Sequence, residues 1–363
     1  MEIRFQSKND STPKLSIVLI DWSCRESFHT LDYLSKQRAE RQNFEIIWIE
    51  YYDKRPREID LAIRKSRLFG THPPVDKWIV LDMPRKQYYH KHLMYNVGII
   101  ASAGEIITIC DSDAMVAETF VSSIINSFEK DRGIVLHMDQ VRNREKSFYP
   151  FNYPSFEEVM TTGRTNLVGG KPAGLSEVND SLHTRNYGAC MSALRDDLVA
   201  IGGADEHVDY LGYVCGPYDM TWRLVNIGRT EVWHDNEWTY HVWHPGQLGA
   251  GNYFGPHDGR HLSTTALTAR QTGRVLPLVE NPAIRELRVS RTHQARKACH
   301  PELAVLGRDF TKWSISNTRL EMVGTGKALL RKCLRRPVKT YVWSSFRRLR
   351  RRRKVDGLSI SDS

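Results

Sequence analysis

The chain has 363 residues and a net charge of +10, and its overall composition is that of a folded protein. Hydrophobic residues make up 40% and charged residues 26%, which excludes a chain that is disordered throughout. No apolar run reaches the ~20 residues of a membrane-spanning helix, and the polar N-terminus is not expected to be a secretory signal. Six cysteines without a CxxC pair argue against a disulfide framework or a cysteine zinc cluster, and favour a reducing compartment.

The positive charge is concentrated in one segment near the C-terminus. Residues 327–354 contain 13 Lys and Arg and no Asp or Glu, so the net charge of +10 becomes −3 once this segment is set aside. A core that binds nucleic acid is therefore disfavoured. The basic segment itself is expected to bind an anionic surface.

Four short apolar runs in the first 110 residues predict the strands of a parallel sheet. Each run is rich in β-branched residues and apolar throughout instead of alternating, which is typical of strands covered on both faces. Helical patterns lie between the runs, as at Phe28, Leu31 and Leu34. This alternation predicts an α/β fold with a doubly wound sheet. The predicted strands are residues 15–20, 45–49, 78–81 and 106–110.

The later part of the chain is less regular. The apolar positions within 116–128 share one face and predict a helix. Residues 150–187 are rich in Gly, Asn, Thr and Pro and predict a long loop region, which in compact proteins is often functional. A further helix is predicted over 219–227, and Gly228 is well placed to end it.

The fourth predicted strand runs directly into Asp111 and Asp113, which are one residue apart. Ligands of open parallel sheets bind beyond the carboxyl ends of the strands, so both carboxylates are expected at the ligand crevice. Two hard oxygen donors there suit Mg²⁺ or Mn²⁺, with a diphosphate supplying further oxygens. The alternative interpretation is a turn, because Asp is a common turn residue. The strand context favours the metal site.

Several segments, in this order, resemble family 2 inverting glycosyltransferases of the GT-A fold. They are SIVLIDW, EIIWIEYYD, NVGIIASAGEIITICDSD, RDDLVAIGGADE, GPYDMTWRL and HVWHPG, and they fall within residues 14–246. The resemblance implies a Rossmann-like, mostly parallel sheet flanked by helices. It also implies transfer of a sugar from a nucleotide-sugar donor, most commonly a UDP-sugar in this family, to a hydroxyl group.

On this resemblance the chain divides into five parts. Residues 14–113 are expected to form the nucleotide-sugar-binding half, and residues 114–251 the acceptor-binding and catalytic half. The flanking parts are an N-terminal tail (1–13), an extension of uncertain structure (252–320) and a basic amphipathic tail (321–363).

The resemblance also implies roles for individual residues. A divalent metal would neutralise the nucleoside diphosphate as it leaves with developing negative charge. Asp113 is expected to bind this metal, with His241 and His244 of the TYHVWHPG segment as further ligands. The residues expected to contact the nucleotide sugar are Asp21, Glu50, Asn96 and Asp111.

The catalytic base is expected at the start of the helix over 219–227. The family's Glu is missing there, and Asp219 keeps the spacing to the following Arg-Leu pair, so Asp219 is the candidate. It would take the proton from an acceptor hydroxyl while that oxygen attacks the anomeric carbon from the opposite face. Asp209 and Glu206 are the reserve candidates, and a helix-start acid favoured by the helix dipole is the structural alternative.

Other positions depart from the family pattern. The first strand leads into Asp21-Trp22-Ser23 instead of the usual Pro-Thr-Tyr-Asn-like turn. Tyr95 precedes Asn96, where an Arg is common in the family. Lys91 or His92, one helical turn earlier, would have to supply the missing positive charge.

The basic tail has the pattern of an interfacial helix. Val342, Phe346 and Leu349 share one helical face, with arginines on the rest. Such a helix binds anionic membranes, and each Lys or Arg contributes up to ~1 kcal/mol. A solvated tail is the alternative. The residues expected at the membrane are Trp343, Phe346, Arg347 and Arg350.

These observations together predict a metal-dependent inverting hexosyltransferase of polysaccharide biosynthesis. Its acceptor would be a glycan or lipid-linked glycan at the cytoplasmic face of a membrane, and no specific nucleic acid is expected as a partner. Two alternatives stay open: a nucleotidyltransferase acting on sugar phosphates, and a glycan- or membrane-binding protein that keeps the fold without the activity.

Overall fold

The computed structural model describes residues 1–7, 12–21, 27–85, 89–174, 185–206, 210, 216–245 and 279–289. The helices are α1 (His29–Ser35), α2 (Arg57–Phe69), α3 (Lys91–Ala101), α4 (Phe120–Lys130), α5 (Phe156–Thr161), α6 (Arg195–Ala200), α7 (Gly216–Asn226) and α8 (Pro282–Val289). The strands are β1 (Glu2–Gln6), β2 (Leu15–Asp21), β3 (Phe44–Glu50), β4 (Lys77–Val80), β5 (Ile106–Asp111), β6 (Met115–Val116), β7 (Ile134–His137), β8 (Gln140–Arg142), β9 (Leu167–Val168), β10 (Lys171–Pro172), β11 (Cys190–Leu194), β12 (Thr230–Trp233) and β13 (Thr239–His241).

The described part of the chain is built around an eight-stranded, mostly parallel sheet. Its order is β1-β4-β3-β2-β5-β11-β7-β12. Only β1 and β11 run against their neighbours in this sheet. The predicted α/β class with a mostly parallel sheet is therefore confirmed. The four apolar runs are the strands β2, β3, β4 and β5, which pair in parallel.

Helices cover both faces of the sheet. Because successive side chains of a strand point to opposite faces, β2 contributes to two separate cores. Val18 and Ile20 pack in the core that includes residues of α3, α6, α7 and α8, whereas Ile17 and Leu19 pack in the core that includes residues of α1, α2 and α4. This double coverage explains why the strands are apolar throughout.

A second sheet lies beside the carboxyl end of β5. It has three strands in the order β6-β13-β8. Tyr240 of β13 pairs with Met115 of β6 in antiparallel register. This pairing places β13 and the residues after it next to Asp113, which comes two residues before β6.

The structure also contains elements that the sequence did not indicate. Residues 2–6, in the predicted N-terminal tail, form β1 against β4. Val116 belongs to β6, so the helix predicted from 116 begins at Phe120 instead. The loop region after 150 includes α5 and the β9–β10 pair. Within the predicted extension, α8 buries Ala283, Ile284 and Leu287.

Among the described residues, no helix combines the length and the apolar composition needed to span a bilayer.

Candidate functional site

Three acidic residues end neighbouring strands at one edge of the large sheet. Asp21 of β2 is paired in register with Glu50 of β3, and Ile20 with Asp111 of β5. Asp21 and Glu50 are fully buried, and Asp111 is partly exposed. Asp111 therefore lies at the carboxyl ends of the parallel strands, as the sequence predicted, and Asp21 and Glu50 end the two strands next to it.

The Glu50 carboxylate is held by the protein around it. Its Oε1 accepts a hydrogen bond of 2.6 Å from the backbone N–H of Arg55, and its Oε2 one of 3.4 Å from Nε1 of Trp78. These contacts fix the carboxylate at the sheet edge. A contact to a nucleoside stays a prediction for Glu50.

A lysine side chain lies beside the carboxyl end of β5. The Lys91 ammonium, at the start of α3, is 3.8 Å from Oδ1 of Asp111 and is largely buried. His92 points elsewhere, since its Nδ1 donates a 2.5 Å hydrogen bond to the backbone oxygen of Asp205. Burial lowers the pKa of His92 to about 4, so this side chain is neutral near pH 7. Of the two residues considered for the missing positive charge, only Lys91 carries one at the site.

Asp113, His241 and His244 form a cluster that could hold a metal ion. Nε2 of His241 is 3.1 Å and Nε2 of His244 is 3.0 Å from Oδ2 of Asp113. One ligand atom from each residue lies within 4.8 Å of the others. The pairing of β13 with β6 creates this cluster, because it carries the residues after Tyr240 back to the end of β5. The structure thus brings together all three residues that the sequence predicted as metal ligands.

The tautomer of His244 suits metal binding. Its Nδ1 is 2.9 Å from the backbone oxygen of Pro245, which can only accept, so Nδ1 carries the proton. This leaves Nε2, the atom that faces Asp113, as the nitrogen that would bind a metal. A backbone carbonyl that orients a metal-binding histidine in this way is a common feature of metal sites.

Side chains of α1 support the loop that carries Asp113, and sequence reasoning did not identify them. His29 Nε2 donates a 2.8 Å hydrogen bond to the backbone oxygen of Asp113. The Thr30 hydroxyl lies 3.0 Å from the oxygen of Ser112 and 2.7 Å from that of Ala114. These contacts join residues more than 80 positions apart, for which no local pattern gives a signal.

The candidate base, Asp219, takes part in a fully buried ion pair. Its Oδ2 is 3.0 Å from Nε of Arg223, and neither side chain is exposed. Its Oδ1 accepts a 3.0 Å hydrogen bond from the hydroxyl of Tyr210. Arg223 also donates to the backbone oxygens of Ile201 and Gly203. Arg223 therefore links Asp219 to the segment that follows α6, and the role of Asp219 as a base stays a prediction.

Asn96 and Glu206 belong to a neighbouring buried network. The Asn96 side chain bonds both backbone groups of Ala204, at 2.8 Å each, and donates to Oε1 of Glu206 at 3.0 Å. Asn281, just before α8, donates to the same oxygen at 2.9 Å. This network fixes the 204–206 segment, and nothing yet tests a contact from Asn96 to a nucleotide sugar.

Some predicted residues lie outside the described part of the chain. They are the reserve base Asp209 and the tail residues Trp343, Phe346, Arg347 and Arg350.

Comparisons with known proteins found solved structures but no sequence family. No family model matches the chain, and no curated protein does. Residues 1–349 of TarS from S. aureus match with 12% identity over 72% of this chain and 71% of that chain, at a TM-score of 0.44. The same TarS fragment in complex with UDP-GlcNAc matches with 14% identity over 77% of this chain and 72% of that chain, at a TM-score of 0.44.

A third similar structure is the mannosyltransferase PcManGT from Pyrobaculum calidifontis in complex with GDP-Man and Mn²⁺. It matches with 12% identity over 92% of this chain and 91% of that chain, at a TM-score of 0.44. Since these similarities are distant, the geometry of the site is the basis for the function proposed below.

Proposed function

We propose that this protein is a metal-dependent glycosyltransferase of the GT-A type. It would move a sugar from a nucleotide-sugar donor to a hydroxyl of a glycan acceptor, with inversion at the anomeric carbon. The observation that carries the proposal is the cluster of Asp113, His241 and His244 at the carboxyl end of β5. The order of sequence segments that resemble family 2 glycosyltransferases supports the same proposal.

The donor atoms of the cluster fit a divalent ion. One carboxylate oxygen and two imidazole nitrogens leave further coordination positions for oxygens of a diphosphate. Imidazole is a poor ligand for Mg²⁺ compared with transition metals, so Mn²⁺ fits this set better. When bound, such an ion supplies Lewis-acid stabilisation of a leaving diphosphate.

The protein's own residues would complete the donor site. Lys91 provides a positive charge beside Asp111, which would add to that of the metal in attracting a diphosphate. Asp21 and Glu50, at the adjoining strand ends, are proposed to contact the nucleoside. Asn96 is proposed to support this half of the site through the 204–206 segment that it fixes.

The acceptor half would include α7. Asp219 is proposed as the general base, which requires one of its oxygens to exchange its present partner for an acceptor hydroxyl. At Oδ1 the carboxylate accepts a hydrogen bond from the phenol of Tyr210. Arg223, bonded at Oδ2, would keep the carboxylate in place during this exchange.

The proposal is tested by measuring release of nucleoside diphosphate from a panel of UDP- and GDP-sugars with Mn²⁺ and a mixture of glycan acceptors. Wild type is expected to turn over at least one donor, and Asp113→Asn to lose that turnover. Asp60→Asn, which alters a carboxylate on α2 outside the cluster and outside the proposed donor residues, serves as the matched control. A turnover that survives in Asp113→Asn would contradict the proposal.

A further inference from the structure

We propose that the outward face of α2 docks on a membrane surface that carries anionic lipids. This face is called the α2 surface below, and its exposed residues are Arg57, Leu61, Arg64, Lys65, Leu68 and Phe69. The α2 surface contains none of the residues assigned to the donor, the metal or the acceptor. The inference therefore goes beyond the proposed function and does not rest on it.

The α2 surface leaves large apolar side chains in contact with water. The inner face of the helix is buried through Ile59 and Ile63. Leu61 and Leu68, which are seven residues apart, lie on the opposite face, and they are 50% and 79% exposed. Phe69, at the end of the helix, is 66% exposed. Grouped exposed apolar side chains of this kind mark a surface that binds a partner.

Basic side chains surround these apolar groups. Arg57, Arg64 and Lys65 are exposed on the same helix. Both acidic residues of α2 lie in its first turn, so the C-terminal half of the helix carries positive charge only. One of these acids, Asp60, is already paired with two arginines, since its carboxylate is 3.0 Å from Arg64 and 3.9 Å from Arg4 of β1. The partner of this surface should therefore be negatively charged as well as partly apolar.

A membrane with anionic lipids meets both requirements. Its headgroups attract Lys and Arg, and the boundary with the acyl chains accepts apolar side chains. Long basic side chains can lay their apolar stems along this boundary while their charged ends stay among the headgroups. Stable attachment usually needs a second signal, and the basic tail is expected from its sequence to bind the same kind of surface. The α2 surface would then strengthen and orient an attachment that the tail begins.

Two occupants from the chain itself fit the charge of the α2 surface poorly. Residues 327–354 contain 13 Lys and Arg and no Asp or Glu, so the C-terminal half of α2 would repel this segment. A second copy bound through the same face in a symmetric dimer would place basic residues against basic residues. The lipid surface is the occupant that opposes the charge and also covers the apolar side chains.

The position of α2 in the fold determines how the protein would lie on the membrane. The helix connects the carboxyl end of β3 to the amino end of β4, and these two strands are parallel. It therefore runs alongside the strands in the opposite direction. With α2 flat on the lipid, the strands would run along the membrane, and the sheet edge that carries Asp111 would open sideways along its surface.

The experiment measures co-sedimentation of the full chain with vesicles of phosphatidylcholine, with and without phosphatidylserine. The apolar variant combines Leu61→Ser, Leu68→Ser and Phe69→Ser, and the charge variant combines Arg64→Gln and Lys65→Gln. All five side chains are exposed, so both variants should unfold in urea at the same concentration as wild type.

A matched control removes exposed apolar side chains from other parts of the fold. It combines Val168→Ser on β9 with Val289→Ser at the end of α8, where the side chains are 72% and 62% exposed. Sedimentation of each protein without vesicles reports self-association. Soluble polyglutamate serves as an anionic probe that has no apolar interior.

If the α2 surface docks on lipid, the apolar and the charge variants each bind the anionic vesicles about tenfold more weakly than wild type. The control binds as wild type does. Raising the salt concentration shrinks the effect of the charge variant and leaves the effect of the apolar variant.

Four results would overturn the inference. Wild type does not bind anionic vesicles, or the α2 variants bind them as tightly as wild type or no more weakly than the control. The apolar variant changes self-association without vesicles, which would make the face an interface between copies. The apolar variant binds polyglutamate more weakly than wild type, which would indicate an acidic protein as the partner. Nucleotide binding tests the proposed function separately, and none of these results bears on it.

Discussion

His244 Nε2 lies 3.0 Å from Asp113 Oδ2, although the two residues are 131 positions apart in the chain. The contact exists because β13 pairs with β6, the strand that immediately follows the Asp113 loop. An aspartate at the end of a parallel strand would alone be a weak indication of a metal site. Together with the imidazole nitrogens of His241 and His244, which the second sheet positions, it forms a set of ligand atoms that suits Mn²⁺ better than Mg²⁺.

The first prediction concerns which ion binds. Two of the three donor atoms in the cluster are imidazole nitrogens, so Mn²⁺ should bind more tightly than Mg²⁺. His244→Gln, which removes one nitrogen, should weaken Mn²⁺ binding by at least tenfold and leave Mg²⁺ binding less affected. Calorimetric titration of both ions checks this, with the exposed His72→Gln as control. Equal affinity for the two ions in wild type would argue against the cluster as their site.

The second prediction concerns the buried ion pair of Asp219 with Arg223. Asp219→Asn leaves the buried guanidinium without this carboxylate, so the free energy of unfolding should fall by about 3–5 kcal/mol. The matched control is Asp60→Asn, which removes a partly exposed partner of the exposed Arg64 at the same spacing. That change should cost at most about 1 kcal/mol.

Urea denaturation measures both effects. An Asp219→Asn variant as stable as wild type would contradict the structural role of the pair. A loss of turnover by variant protein that is still folded would in turn support Asp219 as the base.

The third prediction concerns stability against pH. Burial lowers the pKa of His92 from 6.5 to about 4, so between these values the unfolded chain binds a proton that the folded chain excludes. The contribution of His92 is therefore fully present above pH 6.5 and is lost as the pH falls toward 4. It amounts to about 2–3 kcal/mol between pH 7 and pH 4.5.

His92→Gln should reduce the stability difference between these two pH values by that amount, because glutamine does not titrate. Denaturant unfolding at both pH values checks it. The exposed His72→Gln should leave the difference as in wild type. An unchanged difference in His92→Gln would show that other groups account for the acid sensitivity.

The fourth prediction concerns the basic tail. Deletion of residues 327–363 removes 13 basic side chains, and should release the protein from anionic vesicles because those charges attract acidic lipid headgroups. Co-sedimentation with vesicles of anionic and of neutral lipid measures the effect. The full chain should bind only the anionic vesicles, and binding that persists after the deletion would refute the membrane role.

Much of the fold was predictable because a strand that is buried on both faces of a sheet consists of consecutive apolar residues. β2 and β3 are apolar along nearly their whole length, and each coincides with one of the predicted runs. A helix was expected between the second and third runs, and α2 lies there, but its bounds were not predicted; its buried residues are Ile59, Ile63 and Ser66. The start of α4 was misplaced because the apolar pattern of the helix continues backwards into Val116, whose side chain is buried as part of β6.

The candidate site was predictable only in part, for a related reason. Asp113 and the two histidines belong to short segments with a recognisable pattern. His29 and Thr30 act through single hydrogen bonds to distant backbone oxygens, which require no pattern in the surrounding sequence. The spacing of Asp219 to the following Arg-Leu pair made Asp219 the candidate base, but spacing alone does not reveal that Asp219 and Arg223 are both completely buried.

The most direct test of the central claim is calorimetric titration of UDP, GDP, CDP and dTDP, with and without Mn²⁺, into wild type and Asp113→Ala. A metal-dependent glycosyltransferase should bind at least one of these nucleotides in the presence of Mn²⁺ only, and Asp113→Ala should abolish that binding. If no nucleotide binds wild type under either condition, or if binding is independent of both Mn²⁺ and Asp113, the assignment of this cluster as a nucleotide-sugar metal site is wrong.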